Sequence, residues 1–135
     1  MNKNPFIKLL EIYKNSNKLP NANEVLEVLK DFPSLSKSQF NLVICENSDG
    51  DYSHFHENGD TICFEYKHRN KSTGLVYNRT FCTIILGRPA GDVLFTFGER
   101  VKYDFKDLYN ELSKILIKEY GFSHDYFETF VLRLC

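Results

Sequence analysis

The chain has 135 residues, with 17 basic and 18 acidic side chains and a formal net charge of −1. This length fits one domain, residues 1–135, which can bury a core of its own. No apolar run approaches the length of about 18 residues that a membrane span needs, and the first residues lack a secretory signal. We therefore expect a cytoplasmic protein that does not span a membrane. The separated cysteines Cys45, Cys63 and Cys82 lie in apolar runs and are predicted to be buried thiols.

Two helices are predicted at the start of the chain. Asn4 can cap a helix that begins at Pro5. Apolar residues then recur at helical spacing, at Phe6, Leu9, Leu10 and Tyr13. Asn21 and Glu24 match a capping box for a second helix, which Pro33 closes. The chain is therefore expected to open with a helical pair.

From Phe40 the apolar period changes to two, which is typical of strands. Turn residues separate the apolar runs, as in Asn70 to Gly74. Short turns between successive strands predict an antiparallel meander of about five strands. The predicted strands are 40–45, 52–56, 62–67, 76–86 and 93–97.

Helix returns after the strands, with Asp104 as the predicted N-cap and Gly121 at the end. Its apolar stripe is Phe105, Leu108, Leu112, Ile115 and Leu116. The last segment, 123–135, fits a helical face through Phe127, Phe130, Val131 and Leu134, and it also fits a strand. The predicted fold is α+β: an N-terminal helical pair, an antiparallel sheet of about five strands, and C-terminal helices packed on one face.

Charge is strongly separated along the middle of the chain. Six acids and no base lie between Ser38 and Tyr66, namely Glu46, Asp49, Asp51, Glu57, Asp60 and Glu65. Five bases and no acid lie between Lys67 and Gly91, namely Lys67, Arg69, Lys71, Arg79 and Arg88. Cross-strand pairs such as Glu65 with Arg79 would neutralise part of this charge. The acids in or next to the predicted turns would have no such cross-strand partner, and their negative charge would not be neutralised.

These turn acids predict a surface that binds a cationic protein partner. The predicted contact residues are Asp49, Asp51, Tyr52, His54, His56, Glu57 and Asp60. Binding of nucleic acid by the bases at 67–71 is not expected, because it needs more clustered charge than a pI of 6.4 provides.

His54 and His56 would point the same way on a strand, as two ligands of one metal must. The pair is similar to the H-x-H of cupins, in which a Glu ligand follows a few residues later. Here Glu57 directly follows His56, so on a strand it would point to the face opposite both histidines. We therefore predict no metal and no cofactor. A metal-dependent enzyme or metal-binding protein based on these histidines remains an alternative. So does a ribonuclease that uses His54, His68 or His124 with Arg79.

The whole chain, as a compact α+β domain rich in Phe and Tyr, resembles the immunity proteins of bacterial contact-dependent inhibition and other polymorphic toxin systems. The resemblance lies in general character and not in a motif, so it carries over no residue. It implies a non-catalytic inhibitor that neutralises a cognate toxin protein, often a nuclease. An inhibitor of host defence encoded by a phage would share the same acidic surface and is a further alternative.

Overall fold

The computed structural model describes residues 4–16, 18–32, 40–45, 61–87, 92–125 and 128–133. The strands in this part of the chain are β1 (Asn41–Cys45), β2 (Thr61–Arg69), β3 (Val76–Leu86), β4 (Val93–Phe97), β5 (Ser123–His124) and β6 (Thr129–Leu132). They form one six-stranded sheet in the order β1-β2-β3-β4-β6-β5. Every neighbouring pair is antiparallel. The α+β class and the antiparallel sheet are thus confirmed.

The helices in the described residues are α1 (Pro5–Ser16), α2 (Ala22–Val28), α3 (Val101–Asp104) and α4 (Lys106–Lys118). A 3-10 turn, Leu29–Asp31, extends α2. Asn4 accepts a hydrogen bond from the Phe6 N–H at 3.0 Å, and Asn21 and Glu24 form the reciprocal capping box. Both predicted helix starts are therefore confirmed. None of these helices is long and apolar enough to cross a membrane.

The helices α1 and α4 pack on the same face of the sheet. Phe95 and Phe97 share that face, because strand residues two positions apart point the same way. The ring of Phe6 in α1 lies 5.9 Å from that of Phe95, and the ring of Tyr109 in α4 lies 4.9 Å from that of Phe97. The helices and the sheet therefore enclose one aromatic core.

A β-bulge in β3 marks the point where the sheet narrows. Phe64 pairs with Cys82 and Glu65 pairs with Thr80, so Phe81 is the extra residue. Its fully buried ring lies 4.4 Å from that of Phe40. From Tyr66 and Arg79 outward, β2 and β3 are paired only with each other among the described residues.

Gly98, which directly follows β4, allows the backbone there to pack closely against this bulge. Its N–H donates to the Phe81 carbonyl at 2.9 Å. A Cβ at Gly98 would lie 1.9 Å from the Thr80 carbonyl oxygen, far inside contact distance. Glycine is therefore required here for space and not for an unusual φ.

At the C-terminal end the structure corrects one prediction and decides between two interpretations of another segment. Asp104 is not the N-cap of α4, which begins after Phe105 and has no side-chain cap. The last segment fitted both a helix and a strand, and its described residues, 123–125 and 128–133, contain strands β5 and β6, which bears out the strand interpretation. β6 pairs with β4 along the edge that β3 leaves open, which satisfies backbone groups that a helix would leave unpaired. The predicted strand 52–56 lies outside the described residues, and β1 pairs directly with β2.

Replacing Phe6 by alanine should lower the free energy of unfolding by about 3–5 kcal/mol, the usual range for a buried phenylalanine. Its ring lies 5.1 to 5.9 Å from four other rings, those of Phe32, Phe95, Tyr120 and Phe122. Tyr103 is 65% exposed, so Tyr103→Ala is a control with an expected loss below about 1 kcal/mol. Urea denaturation of both variants measures the difference, and equal losses would contradict this description of the core.

Gly98→Ala should destabilise the fold more than Gly74→Ala. The added methyl at Gly98 meets backbone, whereas at Gly74 it meets open space and only the positive φ of +77° is strained. That strain costs about 1–2 kcal/mol. Thermal unfolding of the two variants checks the order, and a smaller loss for Gly98→Ala would show that the chain can relax around Thr80.

Candidate binding surface on the β2–β3 ribbon

The contact residues predicted from sequence all lie outside the described part of the chain. They are Asp49, Asp51, Tyr52, His54, His56, Glu57 and Asp60. Their role as an acidic contact surface therefore stays a prediction. The structure does describe most of the basic block that follows them.

This basic block forms a projecting two-stranded ribbon, which we define as residues 66–80. Five residue pairs of β2 and β3 lie past the bulge, and the last four of them, from Tyr66 with Arg79 to Arg69 with Val76, continue beyond the end of β1. At about 3.3 Å per residue they extend roughly 13 Å beyond their neighbours β1 and β4. The ribbon thus presents two faces, two edges and a tip.

The tip of the ribbon is a well-organised turn. Asn70 donates its N–H to the Leu75 carbonyl at 2.8 Å, and its side-chain oxygen accepts from the N–H groups of Ser72 and Thr73. Gly74 takes the positive φ that the turn requires, and its N–H donates to the Asn70 carbonyl at 2.7 Å. The predicted turn at 70–74 is confirmed. Because its backbone is already ordered, the tip would lose little conformational entropy on binding.

A hydrogen-bonded group holds the base of the ribbon to α3. The Tyr66 hydroxyl donates to Asp104 Oδ2 at 2.6 Å, and Arg79 Nη1 donates to the same oxygen at 3.0 Å. Arg79 Nη2 donates to the Tyr77 hydroxyl at 3.1 Å. Burial, and then the bond to Asp104, raise the pKa of Tyr66 to about 12. The Tyr66 bond, aided by Arg79, lowers the pKa of Asp104.

The structure places two of the histidines of the ribonuclease alternative, His68 and His124, in different parts of the sheet. His68 and Arg79 share one face of the ribbon, and the His68 ring lies 5.4 Å from that of Tyr77. Tyr66, with its raised pKa, is a poor proton donor at neutral pH. His124 lies on β5, which β3, β4 and β6 separate from β2 by roughly 19 Å at about 4.8 Å per strand. The structure therefore does not bring His68 and His124 together.

The ribbon surface combines cations with exposed apolar side chains. Leu75, Val76 and Tyr77 are consecutive and 66%, 45% and 41% exposed. Lys67 and Arg69 are exposed on the face opposite Tyr77. Of these side chains, Tyr77 and Arg69 are of the types that are enriched at protein contact surfaces.

A second polar group joins α3 and α4 to the start of β6, away from the ribbon. Tyr109 donates its hydroxyl hydrogen to Glu128 at 2.5 Å, and Lys102 pairs with the same carboxylate at 2.9 Å. Burial acts to raise the pKa of Glu128, but these two partners outweigh it and the pKa is lowered. Because Glu128 is bound by two side chains of the same chain, this group serves to stabilise the fold.

A groove of about 610 Å³ lies between α1, α2 and Tyr120. Ile7 and Val28 are among the apolar residues that line it. Its charged lining has both signs, with Lys8, Glu11, Glu27, Lys30 and Asp31. The groove therefore favours no particular charge in a ligand. Among the described residues, no three His, Cys, Asp or Glu side chains are grouped as metal ligands would be.

The suggested pair of Glu65 with Arg79 is wrong. The bulge moves the register by one residue, so Glu65 faces Thr80 and Arg79 faces Tyr66. Arg79 bonds to Asp104 instead. The predicted strands 62–67 and 76–86 and the turn at 70–74 indicated a hairpin here, but its projection beyond the sheet could not be read from sequence.

Comparison of the chain with family models, with curated proteins and with solved structures gives no match.

Tyr66→Phe should raise the pKa of the Asp104 carboxyl, because it removes the hydrogen bond that does most to lower it. Tyr109→Phe is the matched control and should raise the pKa of Glu128 alone. Since the folded pKa of Asp104 is lowered, its carboxylate stabilises the fold at neutral pH. That contribution is lost as the pH falls through the folded pKa, and Tyr66→Phe should weaken it.

An NMR titration of the side-chain carboxyl carbons, over roughly pH 2 to 6 around the usual carboxyl values, measures both shifts. An Asp104 pKa that stays unchanged in Tyr66→Phe would show that Arg79 alone lowers it.

Proposed function

We propose that the chain is a small cytoplasmic protein-binding inhibitor, an immunity protein that neutralises a cognate toxin protein. The observation that supports this best is the ribbon, which projects from the sheet and carries exposed apolar side chains next to its tip together with exposed cations. Sites for small substrates are usually concave. A projecting, preorganised ribbon is suited to contact another macromolecule.

Rigidity at both ends of the ribbon favours a binding role. The turn at 70–74 closes its tip with five hydrogen bonds among its own residues and Leu75. Asp104 anchors its base through Tyr66 and Arg79. Because both ends are held, binding orders few groups, and more of the contact energy appears as affinity.

The acidic residues at 49–60 complete the proposal as a second contact surface. Their charge is complementary to a cationic partner, such as the nucleic-acid cleft of a nuclease. The proposed inhibitor would thus contact its toxin through charges of both signs, and such complementarity selects one partner against others.

Co-expression with the product of the open reading frame immediately upstream tests the proposal. We expect a stable 1:1 complex and loss of the toxicity that the upstream product shows when expressed alone. Absence of a complex, together with unchanged toxicity, would contradict the inhibitor function for this pair.

Reversing the four turn acids to lysine, at Asp49, Asp51, Glu57 and Asp60, should weaken the complex. Loss of a buried charge contact costs about 2–5 kcal/mol per pair, a weakening of at least about 30-fold. The control reverses four exposed acids elsewhere: Glu11, Asp107, Glu111 and Glu119. Titration calorimetry measures both sets, and equal effects would show that only net charge matters.

A further inference from the structure

We infer that the ribbon enters the partner protein and that the surface receiving it carries carboxylates around an apolar depression. This inference rests on the proposed inhibitor function and adds to it the chemistry of the partner. The order of charges along the chain predicted a cationic partner surface for residues 49–60. The ribbon is basic, and it therefore predicts an acidic surface on a different part of the same partner.

The ribbon carries positive charge that the described part of the chain leaves without a carboxylate. Within the described residues, Arg79 is the one of its four bases that forms an ion pair, with Asp104. Lys67 Nζ donates to the neutral Asn78 Oδ1 at 3.5 Å, and Arg69 Nη1 donates to the Gly74 carbonyl at 2.9 Å. A carboxylate would be a stronger acceptor than either neutral oxygen.

These cations stand close to one another in space. Lys67 and Arg69 lie two positions apart on one face of β2, about 7 Å from each other at the usual rise. Lys71 follows in the turn, and all three side chains are exposed. Three like charges this close favour an acidic surface and oppose contact with a second copy of the ribbon.

Apolar side chains beside the cations favour a protein over a nucleic acid. Leu75 is the most exposed large apolar residue that the structure describes, and Val76 and Tyr77 follow it directly. Leucine and valine gain nothing against a phosphate backbone, whereas an apolar depression in a protein would bury them. Three cations, in a chain of net charge −1, are also few for the phosphate contacts on which nucleic-acid binding depends.

The experiment uses the complex with the product of the upstream open reading frame. The double variant Lys67→Glu/Arg69→Glu should weaken this complex by about 100-fold or more, and Leu75→Ala by about tenfold. The matched control, Lys14→Glu/Lys118→Glu, reverses two exposed bases at the ends of α1 and α4 and should change the affinity less than about threefold.

Carbodiimide crosslinking identifies the chemistry of the partner, because it joins lysine amines directly to carboxylates that touch them. We expect crosslinks from Lys67 and Lys71 to Asp or Glu residues of the partner, located by mass spectrometry. Thermal unfolding of each variant alone should match the wild type, which separates lost contacts from lost structure.

The other outcomes distinguish the two proposals. If the complex forms and the ribbon variants bind as tightly as the wild type, the inference about the ribbon is overturned and the inhibitor function stands. If no complex forms, both are overturned. If a 20-base-pair DNA duplex binds the chain more tightly than the partner does, and the ribbon variants abolish that binding, the ribbon recognises nucleic acid and the inference is again overturned.

Discussion

The close approach of Gly98 to Thr80 is the constraint on which the rest of the structure depends. A side chain at Gly98 would place its Cβ 1.9 Å from the Thr80 carbonyl oxygen, so only glycine lets β4 end against the bulge in β3. α3 then begins close to the base of the ribbon, where Asp104 reaches Tyr66 and Arg79. The short β4, the bulge and the projecting ribbon are linked through this one backbone contact.

A continuous series of aromatic ring contacts connects the core to the ribbon. Ring contacts join Phe95 to Phe97, Phe97 to Phe81, Phe81 to Phe105 and Phe105 to Tyr66. The last ring of this series donates its hydroxyl hydrogen to a carboxylate of α3. Because aromatic edge contacts are directional as well as apolar, they both stabilise the fold and orient the base of the ribbon. Packing against the core therefore makes the base of the proposed contact surface rigid.

Charge has little part in holding this fold together. The described ion pairs are few and partly exposed, and such pairs usually contribute at most about 1 kcal/mol each. The separated acids and bases instead determine which surfaces can approach the chain. On the proposed function, the acids at 49–60 and the basic ribbon would contact complementary parts of one partner. Stability and partner choice would then depend on largely different residues.

The sequence by itself determined the local features of this protein: the helix starts at Asn4 and Asn21, the turn at 70–74 and the α+β class. Caps and turns depend on groups within a few residues, so their pattern is visible in sequence. Only the tertiary structure decided that Asp104 binds the ribbon instead of capping α4, and that 123–133 contains strands instead of a helix. Both outcomes depend on partners distant in the chain, and a tertiary hydrogen bond or an open sheet edge can override a local preference. The projection of the ribbon belongs to the same class, because it follows from where the neighbouring strands end.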